Sequence, residues 1–181
     1  MQNKLLSGAD LIQIRKKFKK KKIVLAHGVF DIIHQGHIDY FREAKKYGEI
    51  LVVSITGDNF VNKGLNRPYF KAEDRMNFLA EIQIVDFVVL SQNKSSVEII
   101  KKLKPNFYVK GPDYLLKKND KAGNLKIEKK AVESGGGKLK FTSGVQFSST
   151  KIINDNFEKF KKIPEFLKLN NVTNDYKIKM L

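Results

Sequence analysis

Cysteine is absent from all 181 residues. That excludes disulfides, thiolate metal sites and a cysteine nucleophile. Histidine is scarce: there are 3, whereas zinc usually takes three or four protein ligands, so no metal-ligating set is read from the sequence. No apolar run approaches the roughly 20 residues that span a bilayer, and the N-terminus lacks the apolar core of a secretory signal. These absences lead to the expectation of a soluble, cytoplasmic protein with no membrane partner. Two phosphate-binding fingerprints are also missing. G-x-G-x-x-G does not follow the first strand, which argues against an NAD enzyme, and the G-K-[ST] phosphate loop is not present. Gly135-Gly136-Gly137-Lys138 lacks the rest of that loop and precedes a strand. No serine has the strand–elbow–helix setting of a hydrolase nucleophile. There is no internal repeat.

Positive charge, by contrast, is abundant. Lys and Arg number 35 against 19 Asp and Glu, a net charge of +16. Such a balance can mark a nucleic-acid binder. The lysines, however, run along the whole chain and are seldom interleaved with aromatics. A lysine-rich surface that attracts phosphorylated substrates is the preferred reading, with nucleic acid disfavoured as a partner. Hydrophobic residues make up 41%, enough for one α/β domain with a substantial core.

The most informative stretch runs from Gly28 through Phe30-Asp31 to His34-Gln35-Gly36-His37. The apolar run Ile23-Val24-Leu25-Ala26 before it reads as a buried strand, and Ile38 to Lys46 after it has helical spacing. It is therefore a strand-to-helix turn, which in an open α/β sheet lies where ligands bind. Gly28 permits close approach of a backbone or ligand. His34 and His37, three apart at a helix start, can share one face. The helix N-terminus beside them suits phosphate, and two imidazoles there can stabilise charge that develops on a phosphoryl group. His27 is read as packed or hydrogen-bonded at the strand end, and Asp31 as fixing the turn through backbone hydrogen bonds.

The pattern G-x-F-D-x-x-H-x-G-H, together with Ser148-Ser149-Thr150 opening a late helix, resembles the cytidylyltransferase-like nucleotidyltransferases. Within that family the chain is similar to the nucleotidyltransferase domain of ADP-heptose synthases and to glycerol-3-phosphate cytidylyltransferases. The likeness covers roughly residues 20 to 155. It implies a Rossmann-like, doubly wound sheet of five parallel strands with helices on both faces. It also implies transfer of a nucleotidyl group from ATP or CTP to a sugar or polyol phosphate, with pyrophosphate leaving. By the resemblance, His34, His37 and Lys63 are catalytic. Nucleotide contacts fall to Gly28, Val29, Phe30, Gly36, Arg75, Lys110, Gly111, Asp113, Ser148, Ser149 and Thr150. No basic residue precedes the Ser/Thr pair as it does in some members, so charge neutralisation there passes to Lys63, Arg75 or Lys151. Mg2+ is expected with the nucleotide. A homodimer is compatible with the family, and a kinase-like domain accompanies this one in some look-alikes, so the chain could be a fragment of a longer protein. The alternatives are a coenzyme adenylyltransferase of the pantetheine-phosphate type and a basic nucleic-acid-binding module.

The rest of the chain reads as alternating strands and helices, which predicts a parallel sheet. Residues 1–20 are expected to form a basic amphipathic helix, 21–160 the nucleotidyltransferase domain, and 161–181 a tail or linker. Strands are predicted over 50–55, 85–90, 107–110 and 138–141, and helices over 71–80, up to Leu103 and over 125–134. Ser95 and Ser96 are N-cap candidates for the helix that ends at Leu103.

Overall fold

The computed structural model describes residues 4–63, 67–115 and 123–143. The elements are β1 (Leu5–Leu6), α1 (Asp10–Lys17), β2 (Ile23–Gly28), α2 (Gln35–Lys45), β3 (Ile50–Thr56), α3 (Ala72–Ala80), β4 (Phe87–Ser91), α4 (Val97–Leu103), β5 (Phe107–Lys110), α5 (Asn124–Ser134) and β6 (Lys138–Phe141). The strands form one sheet in the order β1-β4-β3-β2-β5-β6, and every pairing is parallel. All seven residues of β3 are buried, as expected of a strand covered on both faces.

The alternation of side chains divides the sheet between two helical layers. Ile23, Leu25, Val52, Val89 and Tyr108 pack with Leu11, Ile14, Ile99, Ile100, Leu103 and Val132, from α1, α4 and α5. Val24, Ala26, Val53, Ile55, Val88 and Val109 face the other way, against Phe41 and Ala44 of α2 and Leu79 of α3. This is the doubly wound, Rossmann-like class that the sequence implied. Chain order reverses between β2 and β5, which register Val24 opposite Phe107 and Ala26 opposite Val109. The crevice beyond the carboxyl ends of those two strands is where an open α/β sheet takes its ligand.

Two expectations change. The sheet has six strands, because Leu5 and Leu6 pair with Val88 and Val89 at its edge. Residues 1–20 accordingly do not form one helix: the Ser7 amide and hydroxyl both donate to Asp10 Oδ2 at 2.7 Å, turning the chain before α1 begins. Pairing sets two adjacent half-buried leucines on opposite faces of the sheet, Leu6 against the cluster that includes Leu11 and Leu5 against the one that includes Leu79, which a single amphipathic helix face could not do. The upper end of the 21–160 domain and the whole 161–181 tail lie outside the described residues. Among the described residues, no helix is long and apolar enough to cross a membrane.

The turn into β6 depends on a close approach. A Cβ at Gly137 would stand 2.2 Å from Pro105 O and 3.0 Å from Val132 Cγ1. Gly137→Ala is therefore expected to destabilise the domain by about 1–3 kcal/mol, the usual cost of overpacking. Urea unfolding checks this; an unchanged midpoint would contradict the contact.

Candidate active site

The turn after β2 is built on Phe30. Its backbone is left-handed (φ 49°), which folds the ring back beneath Gly28, where a Cβ would meet it at 3.0 Å. The Phe30 ring is 5% exposed. It packs edge-on against His37 at 5.3 Å and tilted against Phe41 at 5.1 Å. The Phe30 side chain is thus a floor beneath the turn, and its ring has almost no surface to offer a ligand.

His34 holds the N-cap position of α2 in an extended conformation, without a side-chain cap bond. Its carbonyl accepts the His37 amide at 2.9 Å. The two rings stack with centroids 3.8 Å apart and 24° between planes, so the shared face expected from their spacing is realised. Burial pushes the His37 imidazole down to about 3, with His34 and Lys63 adding to the effect and a hydrogen bond with the Ile32 backbone opposing it. His34 is lowered for the same leading reason, with Lys63 adding to it. Both rings therefore stand neutral at pH 7 beside the first turn of α2, whose amides and dipole favour an anion. Lys63 is exposed, and its field reaches both rings. Gly36 lies in the first turn of α2, and Gly111 directly follows β5.

Asp31 is buried and fixes more than its own turn. Its carboxylate accepts the Tyr69 amide at 2.8 and 3.0 Å, the Phe70 amide at 3.0 Å and Arg67 Nε at 2.6 Å. Burial opposes its ionisation, but these donors outweigh it and hold the carboxyl below its usual range. The segment between β3 and α3 is thereby pinned to the histidine turn.

Two cations assigned to nucleotide contact point inward instead. Arg75 has no exposed surface. It donates to Phe70 O (3.0 Å), Val29 O (2.5 Å), Thr56 O (2.9 Å) and Asp58 Oδ1 (2.6 Å). In this structure it holds Val29, the end of β3 and Phe70 ahead of α3 together. The observed role of Val29 is that of its backbone carbonyl, which accepts from Arg75. Lys110 is 3% exposed. Its ammonium pairs with buried Glu128 at 3.3 Å and lies over the Tyr114 ring at 4.5 Å. In both cases the cation is enclosed by protein acceptors and has almost no exposed surface. Of Asp113 only the backbone is described, and Ser148, Ser149 and Thr150 lie outside the described residues.

A polar network on the α4–α5 side of the sheet escaped the sequence reading. Glu128 accepts from the Ser96 amide (3.0 Å), Ser96 Oγ (2.9 Å) and Tyr108 OH (2.9 Å). Ser96 holds the N-cap position of α4, yet makes no side-chain cap bond. His27 Nδ1 lies 3.1 Å from Ser54 Oγ, and burial, followed by the Lys110 charge, brings that imidazole down to about 3. The available signal was Glu128 itself, a carboxylate in helical register with Ala131 and Val132.

A histidine whose folded pKa lies below its unfolded value contributes stability that is whole above the unfolded value. That stability declines as pH falls toward the folded value. For His27 and His37 the window runs from 6.5 down to about 3, losing at most about 1.4 kcal/mol per residue per pH unit. Ring nitrogen NMR is expected to show both imidazoles still neutral at pH 5 in the folded protein. Titration of either ring near pH 6.5 would contradict their burial.

Comparison with known proteins places this geometry. The sequence model of the family described as Cytidylyltransferase-like matches residues 25–155. The Bifunctional protein HldE of Campylobacter fetus is 41% identical over 119 residues, covering 65% of this chain and 26% of that one. The Bifunctional protein HldE of Geobacter metallireducens is 35% identical over 154 residues, covering 84% of this chain and 30% of that one. The chain thus spans about a quarter to a third of the length of these relatives. Among solved structures, the lipopolysaccharide core biosynthesis protein from Thermoplasma volcanium superposes with a TM-score of 0.56 at 26% identity, covering 71% of this chain and 99% of that one. Pantoate-beta-alanine ligase from Francisella tularensis, complexed with Beta-gamma ATP and beta-alanine, superposes at 0.54 over 83% of this chain and 72% of that one. At 16% identity it shares the fold.

Proposed function

This chain belongs to the cytidylyltransferase-like family and is a nucleotidyltransferase; on that premise we propose that it transfers a nucleotidyl group from ATP or CTP to a sugar phosphate, releasing pyrophosphate. The observation that carries the reading is the stacked, neutral pair His34–His37 beside the first turn of α2, at the point where the strand order reverses. An oxygen of the acceptor phosphate attacks the α-phosphorus of the triphosphate. The bond to the bridging oxygen breaks, and pyrophosphate carries the electron pair away. Positioning and charge neutralisation do the work, so no protein nucleophile is required. The two imidazoles donate hydrogen bonds to the α-phosphate as charge builds in the transition state, and the exposed Lys63 steers the phosphates toward them.

Mg2+ is taken to arrive with the triphosphate as part of the substrate. The sugar acceptor is supported by the resemblance to ADP-heptose synthases and by the similarity to a lipopolysaccharide core biosynthesis protein. ATP is favoured over CTP by the heptose-type resemblance alone. The relatives are bifunctional and much longer, which supports the proposal that a kinase-like partner activity supplies the sugar phosphate.

The test is pyrophosphate release with each of four nucleoside triphosphates, crossed with sugar 1-phosphates, glycerol 3-phosphate and phosphopantetheine. Activity with a sugar phosphate supports the reading, and activity on phosphopantetheine alone overturns it. In the active combination, His37→Ala is expected to lower kcat by about 10²–10³-fold, as loss of one transition-state donor does, with melting temperature near that of wild type. Near-normal turnover in that variant would remove His37 from the mechanism.

A further inference from the structure

Arg67 was absorbed by neither the sequence reading of the site nor the reaction just described. Its side chain is 7% exposed, and that of Asp31, its ion-pair partner, is 0% exposed. A guanidinium facing a carboxylate usually forms two parallel bonds. Here only Nε reaches Asp31, at 2.6 Å, because the Tyr69 and Phe70 amides already occupy the other oxygen at 2.8 and 3.0 Å. Arg67 Nη2 is left buried without a hydrogen-bond partner among the described residues.

A buried, charged donor with no acceptor is an unfinished site. Its position points to the missing group. Asp31 lies in the same turn as His34 and His37, three residues before the first of them. Lys63, four residues before Arg67 in the chain, acts electrostatically on both rings. His37 Nδ1 is a second buried polar atom without a partner. Arg67 Nη2 and His37 Nδ1, both buried without a hydrogen-bond partner among the described residues and tied to one turn through Asp31 and the start of α2, suit an anion rich in oxygens. Of the guanidinium, Asp31 accepts from Nε alone, so the buried Nη2 keeps its donors unused.

We propose that Arg67 Nη2 is a phosphate ligand of this site, and that the phosphate belongs to the nucleoside triphosphate. The assignment rests on the nucleotidyl-transfer reading for the identity of the anion, and on geometry alone for its existence. Arg67→Lys keeps a positive charge against Asp31 but offers one ammonium, which cannot hold the carboxylate and reach a phosphate in the same plane. Arg67→Gln removes the charge as well.

The test is calorimetric binding of inorganic tripolyphosphate, ATP, CTP and glucose 1-phosphate to the wild-type chain, Arg67→Lys and Arg67→Gln, with melting temperatures recorded alongside. Loss of a charge-assisted hydrogen bond weakens affinity by about 10- to 100-fold. That loss is expected for tripolyphosphate and the nucleotides in both variants, with Arg67→Lys melting near wild type and glucose 1-phosphate unaffected. Weakening of glucose 1-phosphate alone would overturn the nucleotide assignment. Wild-type affinities throughout in Arg67→Lys, whose charge preserves the Asp31 pair even if Arg67→Gln unfolds, would reduce Arg67 to a structural partner and overturn the phosphate site. Pyrophosphate release intact alongside that result would leave the transfer reading standing. Arg67-dependent tripolyphosphate binding with no transfer to any acceptor would uphold the site and overturn the reaction. A wild-type chain that binds none of the four probes would overturn both.

Discussion

A charged guanidinium deprived of water must find its solvation inside the protein or destabilise the fold. Arg75 meets that demand with acceptors from separate segments: a carbonyl after β2, a carbonyl at the end of β3, a carbonyl ahead of α3 and the Asp58 carboxylate. Because each acceptor lies on a different piece of chain, solvating this one cation fixes the distance between β2, β3 and α3 at the carboxyl edge of the sheet. The histidine turn starts from Val29, whose carbonyl is one of the four. Asp31 repeats the device with opposite sign, its buried carboxylate drawing in two amides and a second arginine from the segment after β3. The site is thus framed by two desolvated charges that never need to touch a substrate.

The two faces of the sheet treat their polar ends differently. On the α2–α3 side the imidazoles of His34 and His37 stack at the start of α2. On the α4–α5 side, His27, Ser54, Lys110 and Glu128 are enclosed, and satisfy one another with Ser96 and Tyr108. A buried network is tolerated when its members are paired, and it then specifies one arrangement of the strands and helices that contribute to it. Lys110 illustrates the result. It sits one strand away from the reactive turn, but its ammonium belongs to the closed network.

Much of this was legible in the sequence. The strands β2 to β6 announced themselves as apolar runs alternating with helices, and β5 and β6 fall where they were expected. The histidine turn was legible because its chemistry is carried by side chains at a fixed helical spacing. What stayed hidden was orientation. A lone arginine or lysine in a sequence carries no sign of which way it faces, and most of the groups that hold Arg75 are backbone carbonyls, which leave no trace in residue identity. The two leucines of β1 were too short a run to display a period. Ser96 looked like a helix cap because capping residues and network residues are the same small hydroxyls. The Asp31–Arg67 pair is separated by 36 positions, beyond any local pattern.

The flanks of the sheet complete the picture. A parallel sheet whose outermost strands are long and apolar invites a second molecule to add to it. Here one outer strand is only two residues long. The outermost described strand on the other flank reads Lys-Leu-Lys-Phe, with Lys138 exposed. Among the described residues, brevity on one side and charge on the other make both flanks poor templates for a further strand. The abundance of lysine, which first suggested a polyanionic partner, has in β6 a different use: it places charge along an outer strand that would otherwise be apolar.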